Sequence, residues 1–189
     1  MIYKIRHWIP VAVAVTAICV LIYLSVQQSY RQTANDPQLQ ISQDLASLLS
    51  DGRDPAPVVP ASNIDIADSL ATFVIVYDNS GKPIVSSAGL HGQIPVPPAG
   101  VFENTKDMRQ NRLTWQPVFG VRIAAVLTRY EGPKPGYVLA GRSLREAERR
   151  IQMLGRQVGF LWLAALFTSL VATIIFYPSP KREREKILP

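Results

Sequence analysis

Cysteine and histidine are nearly absent from this 189-residue chain, which contains one Cys and two His. The single Cys lies inside an apolar stretch, which excludes a disulfide framework and a zinc site built from cysteines. The two histidines, His7 and His91, are 84 positions apart, which argues against a histidine metal site. We therefore expect neither a metal nor a cofactor.

Charged residues are missing from two long stretches, Trp8–Tyr30 with 23 residues and Gln157–Pro180 with 24 residues. As helices, residues 9–26 and 158–177 would be about 27 Å and about 30 Å long, enough to cross the hydrocarbon of a bilayer. Backbone groups in hydrocarbon must bond internally, so a lone segment there has to be helical. The sequence thus predicts two transmembrane helices, with about 130 residues between them for one folded domain.

Each apolar stretch has an alternative interpretation. The first could be a cleaved secretory signal peptide, because Lys4 and Arg6 give it a basic start. Its apolar run is longer than usual for a signal peptide and no clean small-x-small cleavage site follows, which favours a retained anchor. The second could be a buried core helix, but a domain of this size could hardly surround it.

The distribution of Lys and Arg predicts the orientation of the chain. The N-terminal segment, residues 1–8, carries Lys4 and Arg6. The tail, residues 178–189, carries four basic residues within six positions: Lys181, Arg182, Arg184 and Lys186. Because such residues mark the cytoplasmic side, we expect a multi-pass plasma-membrane protein with both termini in the cytoplasm and residues 27–157 outside it. The bilayer is thus an expected partner, and nucleic acid is not, since no basic stripe interleaved with aromatics occurs.

The middle of the chain is expected to begin with a helix and then to form strands. Asp36 and Pro37 predict the start of a helix that ends at Gly52. Residues 54–60 are expected to be extended, and Ser62 with Asp65 predicts a capped short helix. Five strands are then expected, the first two separated from the others by a loop and a short helix over Val101–Met108. The strands are Thr72–Tyr77, Pro83–Ser87, Leu113–Gln116, Val121–Tyr130 and Gly136–Ala140.

The last strand leads directly into a long helix. Ser143 and Glu146 have the spacing of a capping box, and no Pro follows until after Tyr177, so one helix could leave the domain and cross the membrane. Its apolar residues form a seam with heptad spacing, which we interpret as a signalling or dimer contact: Leu144, Ala147, Ile151 and Leu154. Packing of this seam onto the domain's own N-terminal helix is the alternative.

The sequence of elements resembles the extracytoplasmic region of bacterial sensor histidine kinases with a PAS-like domain of the PDC or single Cache group. The resemblance depends on the segments TFVIVYDNSGKPIVSS, RLTWQPVFGVRIAAVLTRY and GYVLAGRSLREAERRI, together with the two flanking apolar stretches. It implies an α+β fold in which a five-stranded antiparallel PAS-like sheet with long flanking helices is inserted between two transmembrane helices.

A sensor kinase would continue into a phosphoacceptor helix and an ATP-binding domain, whereas only 12 residues follow Tyr177. His7 and His91 cannot serve as the phosphoacceptor, because one lies at the membrane edge and the other in an outer loop. The resemblance therefore implies a sensor module that has no output domain of its own and acts in a two-component system through a separate partner.

The sequence offers one candidate ligand site. Alternation along the fourth strand places Arg122 on one face beside the small residue Ala124, which leaves room over the sheet. A guanidinium there could bind a carboxylate with two hydrogen bonds, and Trp115 and Tyr77 could form an aromatic wall. The alternative is that Arg122 points into solvent while the two aromatic residues belong to the core.

The expected function is that of a two-pass membrane protein whose external domain senses a small molecule and acts on a membrane-bound signalling partner or a second copy. The alternative is a structural or assembly subunit of a cell-envelope membrane complex that binds no ligand. We expect no enzymatic activity, because Ser86 and Ser87 have no recognisable His and acid to complete a catalytic triad.

Overall fold

The computed structural model describes residues 2–33 and 36–176, and the side chains of residues 5–30 and 37–176. The predicted basic tail, residues 178–189, lies outside them. Five helices are present in this part of the chain: α1 (Ile2–Thr33), α2 (Asp36–Ser50), α3 (Pro55–Val58), α4 (Ala99–Met108) and α5 (Arg145–Phe176). Seven strands are present in the same residues: β1 (Ile64–Asp65), β2 (Phe73–Asp78), β3 (Pro83–Ser86), β4 (Ala88–Gly89), β5 (Gln110–Val118), β6 (Val121–Tyr130) and β7 (Gly136–Ser143).

The five longer strands form one antiparallel sheet in the order β3-β2-β7-β6-β5. In chain order, two of these strands precede α4 and three follow it, as the sequence predicts. The predicted fold class, an α+β fold with a five-stranded antiparallel PAS-like sheet and long flanking helices, is therefore confirmed.

The turn between β2 and β3 is determined by local chemistry. The Asp78 carboxylate accepts hydrogen bonds from the backbone N–H groups of Ser80 and Lys82, at 2.8 and 2.9 Å. Gly81 has φ +83°, and a β-carbon there would lie 3.3 Å from the ring of Phe102. The Asp78 carboxylate at the start of the turn and the left-handed conformation of Gly81 thus allow β3 to return beside β2.

Both faces of the sheet are covered, which explains why strands such as β2 are apolar on both sides. One face, here named the helix face, packs against α2 and carries Val74, Val76, Thr128, Tyr130 and Val138. The opposite, aromatic face packs against α4 and the segment that contains β1 and β4. Its main residues are Phe73, Ile75, Tyr77, Trp115, Ile123, Leu127, Tyr137 and Leu139.

Two local predictions are wrong. Residues 54–60 are not wholly extended, because the Asp54 carboxylate caps the N-terminus of α3, which begins with Pro55. The predicted short helix after Ser62 does not form. Instead, the Asp65 carboxylate accepts from the Ala67 N–H at 2.9 Å in a turn, and Ile64 pairs in parallel with Ala88.

The chain divides into two compact units. The first, residues 29–150, contains the sheet and is here named the domain. The described part of the second unit, residues 2–28 and 151–176, consists of most of α1 and most of α5. Both helices are long and apolar enough to cross a membrane.

Within the second unit the two helices are joined by side-chain hydrogen bonds from indole groups. Trp8 Nε1 donates to Ser169 Oγ, and Trp162 Nε1 donates to Thr16 Oγ1, each at 3.0 Å. An indole N–H in hydrocarbon needs such an acceptor, because no water is available to accept its proton. These two bonds therefore stabilise the packing of α1 against α5 in an apolar surrounding.

Candidate functional site

A pocket of about 220 Å³ opens on the helix face, between the first turn of α2, the sheet and the start of α5. The small side chain of Ala124, in β6, leaves space above the sheet at this point. All the lining residues belong to the domain: Tyr30, Gln38, Ala124, Arg142, Ser143, Leu144, Glu146, Ala147 and Arg150.

Gln38 is the unusual residue of this pocket. Its side chain is fully buried, with 0% exposure, and neither its amide nitrogen nor its amide oxygen has a hydrogen-bond partner among the described residues. Leaving a buried polar group without a partner costs about 1–3 kcal/mol, and such groups are rare in folded proteins. A primary amide held in this state next to a pocket is the strongest indication of a binding site in the domain.

The other buried polar groups of the helix face are paired. Thr128 Oγ1 donates to Ser42 Oγ at 3.0 Å, and Ser42 Oγ donates to the Leu39 carbonyl at 2.9 Å. Gln110 Nε2 in turn donates to Thr128 Oγ1 at 3.1 Å. The helix face is thus able to satisfy its polar groups, and Gln38 is the exception.

The pocket carries an excess of positive charge. Arg150 Nε donates to the Glu146 carboxylate at 2.9 Å, so these two charges offset each other. Arg142 donates its Nε–H to the Leu70 carbonyl at 3.0 Å, and no carboxylate of the described residues lies within ion-pair distance of it. Arg142 is exposed, and its terminal guanidinium nitrogens have no hydrogen-bond partner among the described residues, so they are available to a ligand.

The start of α5 forms one wall of the pocket, with Ser143 and Leu144 just before the helix and Glu146, Ala147 and Arg150 within it. This helix then continues without a break to Phe176, over 32 residues. A molecule in the pocket would therefore contact the element that leads into the second apolar stretch.

Three contacts attach the start of α5 to the rest of the domain. The Leu144 N–H donates to the Arg122 carbonyl at 2.8 Å, the Arg122 guanidinium pairs with Glu148, and Arg145 donates to the Asp68 carbonyl. The predicted capping box is only partly present: Ser143 Oγ accepts from the Arg145 N–H at 3.3 Å, whereas Glu146 is bonded to Arg150.

The three residues predicted as a ligand site do not come together. Arg122 lies on the helix face, half of its side chain is exposed, and it pairs with Glu148. Trp115 and Tyr77 lie on the aromatic face, where both belong to the core. Successive strand residues point to opposite faces, so Arg122 and Ile123, the neighbour of Trp115, cannot share one pocket.

Tyr77 is fully buried, and its hydroxyl donates to the Pro95 carbonyl at 2.7 Å. Burial raises the pKa of Tyr77 well above its ordinary value, because the charged phenolate would lose its hydration. The ring also makes an edge-to-face contact with Phe102, with centroids 5.3 Å apart. This environment suits a structural residue that stays uncharged.

The sequence reasoning did locate the room above the sheet, because Ala124 lines the pocket. The arginine that lines it is Arg142, which lies directly opposite Ala124 on the neighbouring strand, and not Arg122. Gln38 is not among the predicted residues, and its place in the first turn of an amphipathic helix is the one sequence feature that sets it apart. Ligand binding by Arg122, Trp115 and Tyr77 stays a prediction.

The seam on the final helix is divided between the two units. Leu144 and Ala147 line the pocket in the domain, whereas Ile151 and Leu154 belong to the helix pair, and all four are half-buried. Within the pair, α5 packs on the chain's own α1: a β-carbon at Gly155 would lie 3.4 Å from the ring of Tyr23. A role of the seam in dimerisation stays a prediction.

No family model and no curated protein matches the chain. Among solved structures, the chain is similar to the ligand-binding domain of the amino acid chemoreceptor PctC of Pseudomonas aeruginosa PAO1, determined in complex with GABA. The identity is 16% and the TM-score 0.44, with 72% of this chain and 62% of the other chain covered. At this level the likeness gives no information about a ligand, a partner or an output.

Proposed function

We propose that the chain is a two-pass membrane protein whose domain binds a small molecule in the pocket at Gln38 and communicates its occupancy through α5. The observation that carries the proposal is the buried amide of Gln38, which has no partner among the described residues and adjoins a pocket with α5 as a wall. A ligand that pairs with this amide would stabilise one position of α5 over another, which is what a sensor requires.

The proposed location is the outer side of the plasma membrane for the domain and the cytoplasm for both termini. It is supported by the two apolar helices and by the basic residues at the chain ends. The proposed output is a membrane-bound signalling partner, such as the kinase of a two-component system, or a second copy of the chain that contacts the seam on α5.

The proposed role is binding and not catalysis. The lining of the pocket contains no His, Cys or Asp, and its single carboxylate, Glu146, is paired with Arg150. These residues offer no nucleophile with an adjacent base, whereas the guanidinium and the amide are suited to hold a ligand by hydrogen bonds.

Thermal unfolding of the full chain in lipid nanodiscs tests ligand binding, with a panel of amino acids, short carboxylates, their amides and monosaccharides. We expect at least one compound to stabilise the domain saturably, by about 2.7 kcal/mol at about a hundred times its Kd. Ala147→Phe, which fills the pocket, should abolish the effect. Arg149→Phe, on the exposed side of the same helix, should preserve it.

Amide hydrogen exchange with the same compound tests whether α5 is affected. Residues 143–150 should exchange more slowly with the ligand bound, and not in Ala147→Phe. No stabilisation by any compound, or stabilisation that Ala147→Phe leaves unchanged, would contradict the proposal and favour a structural subunit of a membrane complex.

Cysteine labelling in intact cells tests the proposed orientation. In a Cys19→Ser background, a membrane-impermeant maleimide should label Gln93→Cys from outside and Glu185→Cys only after the cells are opened. Labelling of Glu185→Cys in intact cells would contradict the orientation, and a mature protein without its first apolar stretch would show that the stretch is a signal peptide.

A further inference from the structure

The charges around the pocket indicate an anionic ligand. Two arginines and one glutamate line it, which gives the lining one net positive formal charge. Glu146 is bonded to Arg150 and also interacts at longer range with Arg142, whose terminal nitrogens make no ion pair with the described residues. A guanidinium with free terminal nitrogens matches a carboxylate, which can accept two parallel hydrogen bonds. A phosphate monoester carries nearly two negative charges at neutral pH, so one of them would have no opposite charge in the pocket and would be repelled by Glu146.

The amide of Gln38 adds a second requirement. It presents one oxygen acceptor and two N–H donors, and none of them is used by the described residues. A ligand group that pairs fully with it must offer a donor and an acceptor side by side, as a neutral amide or a hydroxyl group does. A purely apolar ligand end would leave the buried amide unpaired, at the same cost as in the free protein.

The size and the apolar part of the lining limit the rest of the ligand. A volume of about 220 Å³ lies below the range of about 300–1,000 Å³ that is usual for pockets of drug-sized ligands, which favours a small ligand. Ala124, Leu144 and Ala147 contribute an apolar surface between the polar groups, which favours a short hydrocarbon link in the ligand.

We infer that the pocket takes a small monocarboxylate that carries a neutral amide or hydroxyl group at its other end. Arg142 binds the carboxylate. The amide of Gln38, which has almost no accessible surface in the free protein, turns toward the ligand and pairs with the neutral group. The inference rests on the proposed function, since it names the ligand class of the same pocket.

The probe is succinamate, which has a carboxylate and a primary amide joined by two methylene groups. Its affinity for the full chain in nanodiscs is measured by calorimetry, beside succinamide, which has no charge, and butyrate, which has no amide. We expect succinamate to bind at least about tenfold more tightly than either, since each control lacks one of the two polar interactions.

Two variants locate the interactions, and a third serves as control. Arg142→Gln should weaken succinamate at least about tenfold and leave succinamide unchanged, whereas Gln38→Met should weaken succinamate and succinamide and leave butyrate unchanged. Arg122→Gln removes a guanidinium from the same face, outside the pocket, and should change each affinity less than about twofold.

Equal affinities for succinamate and succinamide, or equal effects of Arg142→Gln and Arg122→Gln, would overturn the inference. If neutral compounds stabilise the domain in a way that Ala147→Phe abolishes, the proposed function stands and the carboxylate assignment fails. If no compound of either panel shows an effect that depends on Ala147, both fail together.

Discussion

Each face of the sheet carries a fully buried polar side chain, and the two side chains differ in their pairing. On the aromatic face, the hydroxyl of Tyr77 is paired with the Pro95 carbonyl, and Phe102 packs edge-to-face against Tyr77 and Tyr137 at 5.3 and 5.2 Å. On the helix face, Gln38 is equally buried and has no partner among the described residues. The hydroxyl of Tyr77 is thus satisfied by the protein itself, whereas the amide of Gln38 lies at a residue that lines a pocket. The aromatic face also buries one atom that has no partner among the described residues, Arg129 Nε.

We infer from this difference that the aromatic face serves stability and the helix face serves binding. Filling a core with paired and packed groups maximises stability, whereas a binding site keeps groups that are satisfied only when the ligand is present. The first kind of face should lose stability with almost any substitution. The second kind should gain stability when its unpaired group is removed, at the expense of binding.

The largest effect is expected on the aromatic face. Phe73 is 1% exposed, and Phe73→Ala should lower the free energy of unfolding by about 3–5 kcal/mol, because it leaves a cavity in a packed core. Tryptophan fluorescence during denaturation of the full chain measures the change. Phe119→Ala, at a fully exposed position between β5 and β6, should change stability by less than about 0.5 kcal/mol. A loss below about 1 kcal/mol for Phe73→Ala would mean that this face is not closely packed.

The second prediction has the opposite sign. Gln38→Met keeps the size of the side chain and removes an unpaired buried amide, so the free energy of unfolding should rise by about 1–3 kcal/mol. The same substitution at Gln110, whose amide is bonded to Thr128, should lower it by about 1 kcal/mol. The same denaturation experiment compares them. Destabilisation by both substitutions would show that Gln38 has a structural partner.

The third prediction concerns the buried hydroxyl of Tyr77 on the aromatic face. Tyr77→Phe keeps the packing and removes the bond to the Pro95 carbonyl, so it should cost about 1 kcal/mol near pH 7. Because the folded protein raises the pKa of Tyr77, the stability that this residue contributes is present below about pH 10 and is lost as the pH rises further.

Tyr77→Phe should therefore reduce the loss of stability between about pH 10 and pH 12. Tyr130 provides the control: burial and, to a smaller extent, the nearby Asp78 also raise its pKa, so part of the alkaline loss should remain in Tyr77→Phe. An unchanged alkaline slope in Tyr77→Phe would show that folding does not raise the pKa of Tyr77.

The smallest effect is expected at the ion pair that joins β6 to α5. Arg122 and Glu148 are partly exposed, so their interaction should stabilise the domain by less than about 1 kcal/mol and should weaken in high salt. A double-mutant cycle with Arg122→Ala and Glu148→Ala measures it. A coupling above about 2 kcal/mol would mean that this pair, more than the pocket, determines the position of α5.

The strands of the sheet could be predicted from the sequence because residues close together in the chain determine where each strand begins and ends. The apolar run of β2 is followed by Asp78 and Gly81 in a turn, and β6 spans Val121–Tyr130 as predicted. The segment after Ser62 could not be predicted in the same way. There, the pairing of Ile64 with Ala88, over 24 positions, competes with a local capping pattern and replaces it.

The candidate site could be predicted only in part. The alternation of β6 places Ala124 on the helix face, which depends on sequence spacing alone. That Arg142 and not Arg122 lines the pocket depends on the register of β6 with β7, in which Ala124 lies opposite Arg142. The unpaired state of Gln38 depends on everything that surrounds it, and no sequence pattern contains that information.

Nuclear magnetic resonance of the Gln38 side-chain amide tests the central claim most directly. In the full chain labelled with ¹⁵N-glutamine, the NH₂ signals of Gln38 are those that disappear in Gln38→Met. The account predicts that succinamate shifts these signals saturably, while the signals of Gln110, bonded to Thr128, stay in place. Signals of Gln38 that remain unchanged at saturating succinamate, or that already show a hydrogen-bonded amide in the free protein, would contradict it.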